Sequence, residues 1–206
     1  MNKLAPILRM TVPAALLLAV ACSPLSPQPD PSRFYVLTSL AESGEEPAEV
    51  PEPSLSLGVG PVMLAPYLDR SALVTRLGTN QLEFSQVDRW AEPLPSHFTR
   101  IQATNLGTLL NTRVVVYPWY SSTRLDYSIE IYVLRFERNT EGNAQLKARW
   151  AIRDGGGQLV DTRESARTEI ASPGTTEGSV AALSKAAADL SREIAATIRR
   201  LASESP

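Results

Sequence analysis

One cysteine and one histidine are all that the 206 residues contain of the commonest soft metal ligands. Without a second cysteine there is no internal disulfide. With His97 alone and no thiol pair there is no ordinary zinc site, so metal chemistry is not expected. No basic tract occurs and the formal net charge is −2, which argues against nucleic acid as the partner. The apolar run Val12–Cys22 falls short of the roughly 20 residues that span a bilayer. Gly58-Val59-Gly60 lacks the following glycine and Lys-Ser/Thr of a phosphate loop, and no cofactor is expected. His97 titrates near neutrality, but it follows Ser96 at an expected helix start, where the two side chains diverge. It reads as a partly exposed helix residue, and no residue is assigned a catalytic role.

The N-terminal stretch is the most informative. Lys3 and Arg9 precede the apolar run, which ends in Ala19-Val20-Ala21 and then the lone Cys22. This pattern resembles a bacterial lipobox, in which the leader 1–21 is removed and Cys22 is acylated as the first mature residue. The other reading is plain secretion with cleavage after Ala21, which leaves an unpaired thiol in an oxidising compartment. Lipidation removes that thiol and holds the chain at a membrane, each buried CH₂ adding about 0.8 kcal/mol. By the known sorting rule, Ser23 after the cysteine implies the outer membrane of a Gram-negative envelope, on its periplasmic face. Loss of Lys3 and Arg9, with no acidic residue before Cys22, takes the mature net charge from −2 to −4. Residues 22–32 are proline-rich and read as a semi-rigid tether of roughly 30 Å at about 3.1 Å per residue.

Residues 33–206 read as one α+β domain, a mostly antiparallel or mixed sheet with two principal helices against it. Arg33–Thr38 is the first expected strand, and the acidic, proline-bearing 41–54 a solvated loop. Leu55–Leu64 resumes strand character, with Gly58, Gly60 and Pro61 marking a bulge or an edge. Strands follow at 72–77 and 81–86 around a Gly78-Thr79-Asn80 turn. A helix capped by Ser96 is expected to carry Phe98, Ile101, Leu106, Leu109 and Leu110 inward and to end at Asn111. Then come a short buried strand at 113–117, a strand at 126–138 whose apolar parity shifts beyond Val133, and a one-face strand at 144–153. Gly155–Gly157 turns the chain into a polar edge strand at 159–170. The closing helix, 177–201, has an apolar stripe at alternating three- and four-residue steps, suited to packing on the sheet. Trp150 reads as core; Trp90 and Trp119 stay open between core and interface.

Tyr67-Leu68-Asp69-Arg70, Val74-Thr75-Arg76, Arg89-Trp90-Ala91-Glu92-Pro93-Leu94, Asn105-Leu106 and Tyr117-Pro118-Trp119, in this order and spacing, resemble the ABC-transport auxiliary lipoproteins of the PqiC/YmbA type. That resemblance implies a non-enzymatic, membrane-anchored component of an MCE/ABC-type envelope transport system that carries lipid between membranes. Its implied partners are an MCE-domain protein and the associated permease or ABC components, and a homo-oligomer is compatible with it. Tyr67, Asp69, Arg70, Arg89, Trp90 and Glu92 form the candidate partner surface; the charged ones among them otherwise read as salt-bridged turn residues. Two other classes stay open: a lipid- or small-molecule-binding lipoprotein acting alone, and an envelope hydrolase built around His97.

Overall fold

A computed structural model describes residues 29–47, 55–120, 122–171 and 175–204. The leader, Cys22 and most of the tether lie outside the described residues, as do 48–54 of the acidic loop and Pro173-Gly174. The described elements fall within one unit, 32–206.

Eight strands and two helices follow in the order β1 (Arg33–Tyr35), β2 (Leu57–Leu64), β3 (Ala72–Gly78), β4 (Gln81–Trp90), α1 (Leu94–Leu110), β5 (Val114–Val116), β6 (Tyr127–Asn139), β7 (Ala144–Asp154), β8 (Leu159–Glu169) and α2 (Thr176–Glu204). The sheet is mixed, as expected. β6 to β8 form an antiparallel meander, and β3–β4 an antiparallel hairpin. β1 runs parallel to β4, and β2 parallel to both β5 and β6.

β6 organises the rest. One of its edges pairs along its length with β7. The other edge takes two partners in succession, β2 from Tyr127 to Val133 and then β3 at Arg138 and Asn139, both parallel. The sheet therefore forks, and residues 65–71 cross the fork. Irregularities sit where the apolar pattern breaks. The β2 register shifts between Val59 and Val62, around Gly60-Pro61; β6 shifts between Val133 and Arg135, where its apolar parity changes.

α1 packs on β2 and β5, α2 on β6, β7 and β8, and the helices pack on each other, so both cover one face. Trp150 is buried as expected, its indole N–H donating to Ser165 Oγ at 2.9 Å. Phe98, Phe136 and Trp90 form an aromatic centre: Phe98 meets Phe136 edge-on at 5.2 Å and Trp90 stacks on it at 6.2 Å. Such contacts add about 0.5–1.5 kcal/mol each beyond the area they bury.

Four local expectations are corrected. β1 stops at Tyr35, and residues 37–40 then cross the helix pair as a strap. β4 continues to Trp90 rather than ending at Gln86, because Asp88 is neutralised in place by Arg33 and Thr176. α1 starts at Leu94 with Pro93 at its cap position; Ser96 lies inside the first turn and caps nothing. β5 is a half-buried edge rather than a buried strand. Asn111 does end α1, in the left-handed conformation that asparagine tolerates.

Candidate docking surface

The fork crossing and the β4–α1 junction bring together four of the six candidate partner residues. Asp69, Arg70, Trp90 and Glu92 line an open cleft of about 350 Å³ together with Ser71 and Leu94. The backbone N–H of Trp90 donates to Ser71 O at 2.7 Å and fixes the two segments side by side. Trp90 is 4 % exposed, so it supports the cleft from the core. The Arg70 guanidinium lies 4.1 Å above the Phe84 ring. Glu92 pairs with Arg100, about two turns into α1, not with Arg89.

Tyr67 and Arg89 leave this group. Arg89 alternates with Trp90 along β4 and points away from the helix layer. Tyr67 turns toward β6 and donates to Leu134 O at 3.1 Å and to Glu137 at 2.5 Å. Glu137 is buried and also accepts from Arg76. Burial, then the hydrogen bond to Glu137, pushes the Tyr67 hydroxyl well above its usual range. This part-buried triad closes the fork; truncating Glu137 would leave the Arg76 guanidinium without its carboxylate, the costly way to break such a pair.

A second open cleft, about 410 Å³, adjoins the first turn of α1. Pro61, Val62, Val116 and Tyr117 give it apolar walls, and Arg100 stands at its side, as Glu92 does at the first cleft. The Glu92–Arg100 pair thus separates two shallow depressions at one helix start. Tyr117 meets Trp119 edge-on at 5.3 Å. Trp119 lies against Gly58, where a Cβ would stand 2.6 Å from Leu125 and 3.0 Å from the indole. A third open cleft, about 780 Å³, is bordered by Trp119 and is mostly polar, with Arg124, Asp126 and Asp154 in its wall.

His97 is not partly exposed; it is fully buried. Because α1 begins at Leu94, His97 falls on the inward stripe with Ile101 and Asn105. Its Nε2 accepts the Leu37 N–H at 3.1 Å, and its ring meets Trp90 edge-on at 6.4 Å. An accepting Nε2 places the proton of the neutral ring on Nδ1, which is buried without a partner. Burial holds the imidazole below its ordinary value, against the opposing pull of Glu92. The nitrogen that a hydrolase would use is occupied by the strap.

The helix interface is also polar, which the apolar reading of α1 missed. Asn105 accepts the Leu40 N–H at 2.8 Å and donates to Ser191 Oγ at 3.2 Å. Gln102 donates to Ala187 O at 3.0 Å, and Ser184 Oγ accepts the Thr38 N–H at 3.1 Å. The signal was present: Gln102 and Asn105 interrupt the stripe set by Phe98, Ile101 and Leu106.

The fold is an α+β domain with two helices on one sheet face and open clefts around one helix start. The chain matches the family described as ABC-type transport auxiliary lipoprotein component over residues 35–195, and it belongs to that family. Among solved structures it is similar to an uncharacterized protein at 20 % identity and TM-score 0.67, covering 81 % of this chain and 98 % of that one. It is likewise similar to protein XCC0632 from Xanthomonas campestris at 20 % identity and TM-score 0.64, covering 79 % and 92 %. At this identity the likeness establishes the fold alone. No curated protein matches the chain. No helix among the described residues is long and apolar enough to cross a membrane.

Proposed function

We propose that the chain is a non-enzymatic adaptor, held by acyl chains on Cys22 at the periplasmic face of the outer membrane. There it docks an MCE-domain carrier of an intermembrane lipid transport system and its permease or ABC components. The match over residues 35–195 to a family of transport auxiliary lipoproteins carries this reading. The geometry supports it in two ways. His97 is committed to holding the strap, and the described clefts are open depressions suited to contact rather than to enclosing an acyl chain. Affinity capture of the native lipoprotein from its own envelope tests the proposal. Recovery of an MCE-type protein with the chain is the expected result; recovery of none, under conditions that preserve other envelope complexes, overturns it.

A further inference from the structure

The helices cover one sheet face; on the other, Tyr67 and Arg76 cover Glu137 at one end of β6, and the rest of β6, β7 and β8 carries no layer among the described residues. Arg135 on β6 and Lys147 on β7 are direct cross-strand partners there. Like charges in that position are destabilising. Arg149 is the next outward residue of β7 and has an exposed side chain. A single carboxylate on β8, Glu164, serves both Lys147 at 2.7 Å and Arg149 at 2.9 Å. Arg135 has no carboxylate partner among the described residues. Further along, Arg153 and Glu130 form a balanced pair at 2.8 Å. With Glu137 at the covered end balanced by Arg76, the open part of this face sets four cations, Arg135, Lys147, Arg149 and Arg153, against two carboxylates, Glu130 and Glu164, in a chain whose net charge is −2.

The excess has a boundary and a centre. Past the Arg153–Glu130 pair, the cleft beneath Trp119 holds Asp126 and Asp154 with Arg124, so the basic character stops there. At the centre Tyr132 stands between Arg149 on β7 and Met63 on β2, and Met63 is 52 % exposed. Tyrosine, methionine and arginine are the residue types enriched where protein partners meet. A face shaped only for stability would set a carboxylate opposite Arg135. A face shaped for an anionic bilayer would not place Glu130 and Glu164 among its cations, since the lipid surface would repel them. A protein surface with an acidic excess can set carboxylates opposite Arg135, Lys147 and Arg149 and discrete cations opposite Glu130 and Glu164, which a uniformly anionic bilayer cannot.

We propose that the open face of β6–β8, centred on Tyr132, Arg135, Lys147 and Arg149, docks an acidic surface of a partner protein. The identity of that partner rests on the adaptor reading above; the chemistry of the face does not. The test uses the purified mature chain and two variants. Arg135→Glu/Arg149→Glu reverses two outward charges, and Arg113→Glu reverses one at the α1–β5 turn as a control. Urea midpoints first establish that all three are folded. Binding to an MCE-domain protein from the same organism is then measured at low and high salt. Affinity is expected to fall at least tenfold in the double variant, to stay unchanged in the control, and to weaken with salt in the wild type. Equal binding by wild type and double variant overturns the surface and leaves the adaptor reading intact. If the wild type does not bind that protein, the adaptor reading fails. The face is then tested with a fluorescein-labelled deca-glutamate peptide by anisotropy. A tenfold loss in the double variant upholds it, and no binding or no difference overturns it. Co-sedimentation of a Cys22→Ser chain with phosphatidylglycerol vesicles, abolished in the double variant, also overturns it by assigning the face to lipid.

Discussion

His97 shows how one side chain serves the fold while looking like chemistry. Its Nε2 accepts a backbone N–H of the strap, and only the neutral ring can do so. The folded-state value lies below 6.5 because the ring is buried. The unfolded chain therefore binds a proton first as pH falls, and stability is lost across the interval from about 6.5 down to the folded value. Glu42 acts lower. The Ser39 N–H and hydroxyl hold its carboxyl below 4.5, so its contribution is present above that value and is lost only in stronger acid. Urea midpoints between pH 8 and pH 5 are expected to decline in the wild type and to decline less in His97→Gln, which keeps an acceptor but does not titrate. His97→Ala leaves the Leu37 N–H unsatisfied and is expected to cost about 1–3 kcal/mol at pH 8. Partner binding by His97→Gln should equal wild type; a selective loss with an unchanged midpoint would return the residue to a direct functional role.

At the scale of elements, one side chain bridges the strap and both helices. Asn105 accepts from Leu40 of the strap and donates to Ser191 of α2, so its loss unsatisfies groups on two elements. Asn105→Ala is expected to destabilise by about 2–3 kcal/mol, with hydrogen exchange rising first at the Leu40 amide. Uniform exchange across the strap and α2 in wild type and variant would show that the two are not coupled through Asn105. Much at this scale was legible locally. The parity change at Val133 became a register shift, the Gly60-Pro61 interruption became another, and the stripe of α2 packs on the sheet. What stayed hidden depends on residues far apart in the chain. The expected strand stopped at Gln86, yet it runs on through Asp88, which Arg33 and Thr176 hold from 55 and 88 residues away. The parallel pairing of β1 with β4 and the fork on β6 have the same origin: local alternation states which face is apolar, not which strand lies beside it. The candidate surface was half legible for this reason. Asp69, Arg70, Trp90 and Glu92 meet, while Tyr67 is captured by Glu137 from β6.

For the whole molecule, the adaptor reading turns on distance from the bilayer. On the proposal that residues 22–32 form an extended tether, they would reach roughly 30 Å at about 3.1 Å per residue. They join the domain at Arg33, which β1 and Asp88 hold in place. A tether of that length gives an effective concentration of order 1 mM at the membrane. A docking contact with Kd of about 100 μM would then be roughly 90 % occupied, against about 1 % for the same domain free at micromolar concentration. Anchoring, rather than a tight interface, would supply most of the occupancy. Cys22→Ser is therefore expected to leave the urea midpoint unchanged, to release the chain into the soluble fraction, and to abolish transport. Restoring any outer-membrane lipoprotein anchor with a spacer of equal length ahead of Ser32 is expected to restore transport. Deleting 24–31 while keeping Cys22 should retain the chain at the membrane yet lower transport, because the domain is pulled below the reach of its partner. A Cys22→Ser chain that is soluble, folded and fully active would show that occupancy does not depend on the membrane, and the adaptor mechanism would fail with it.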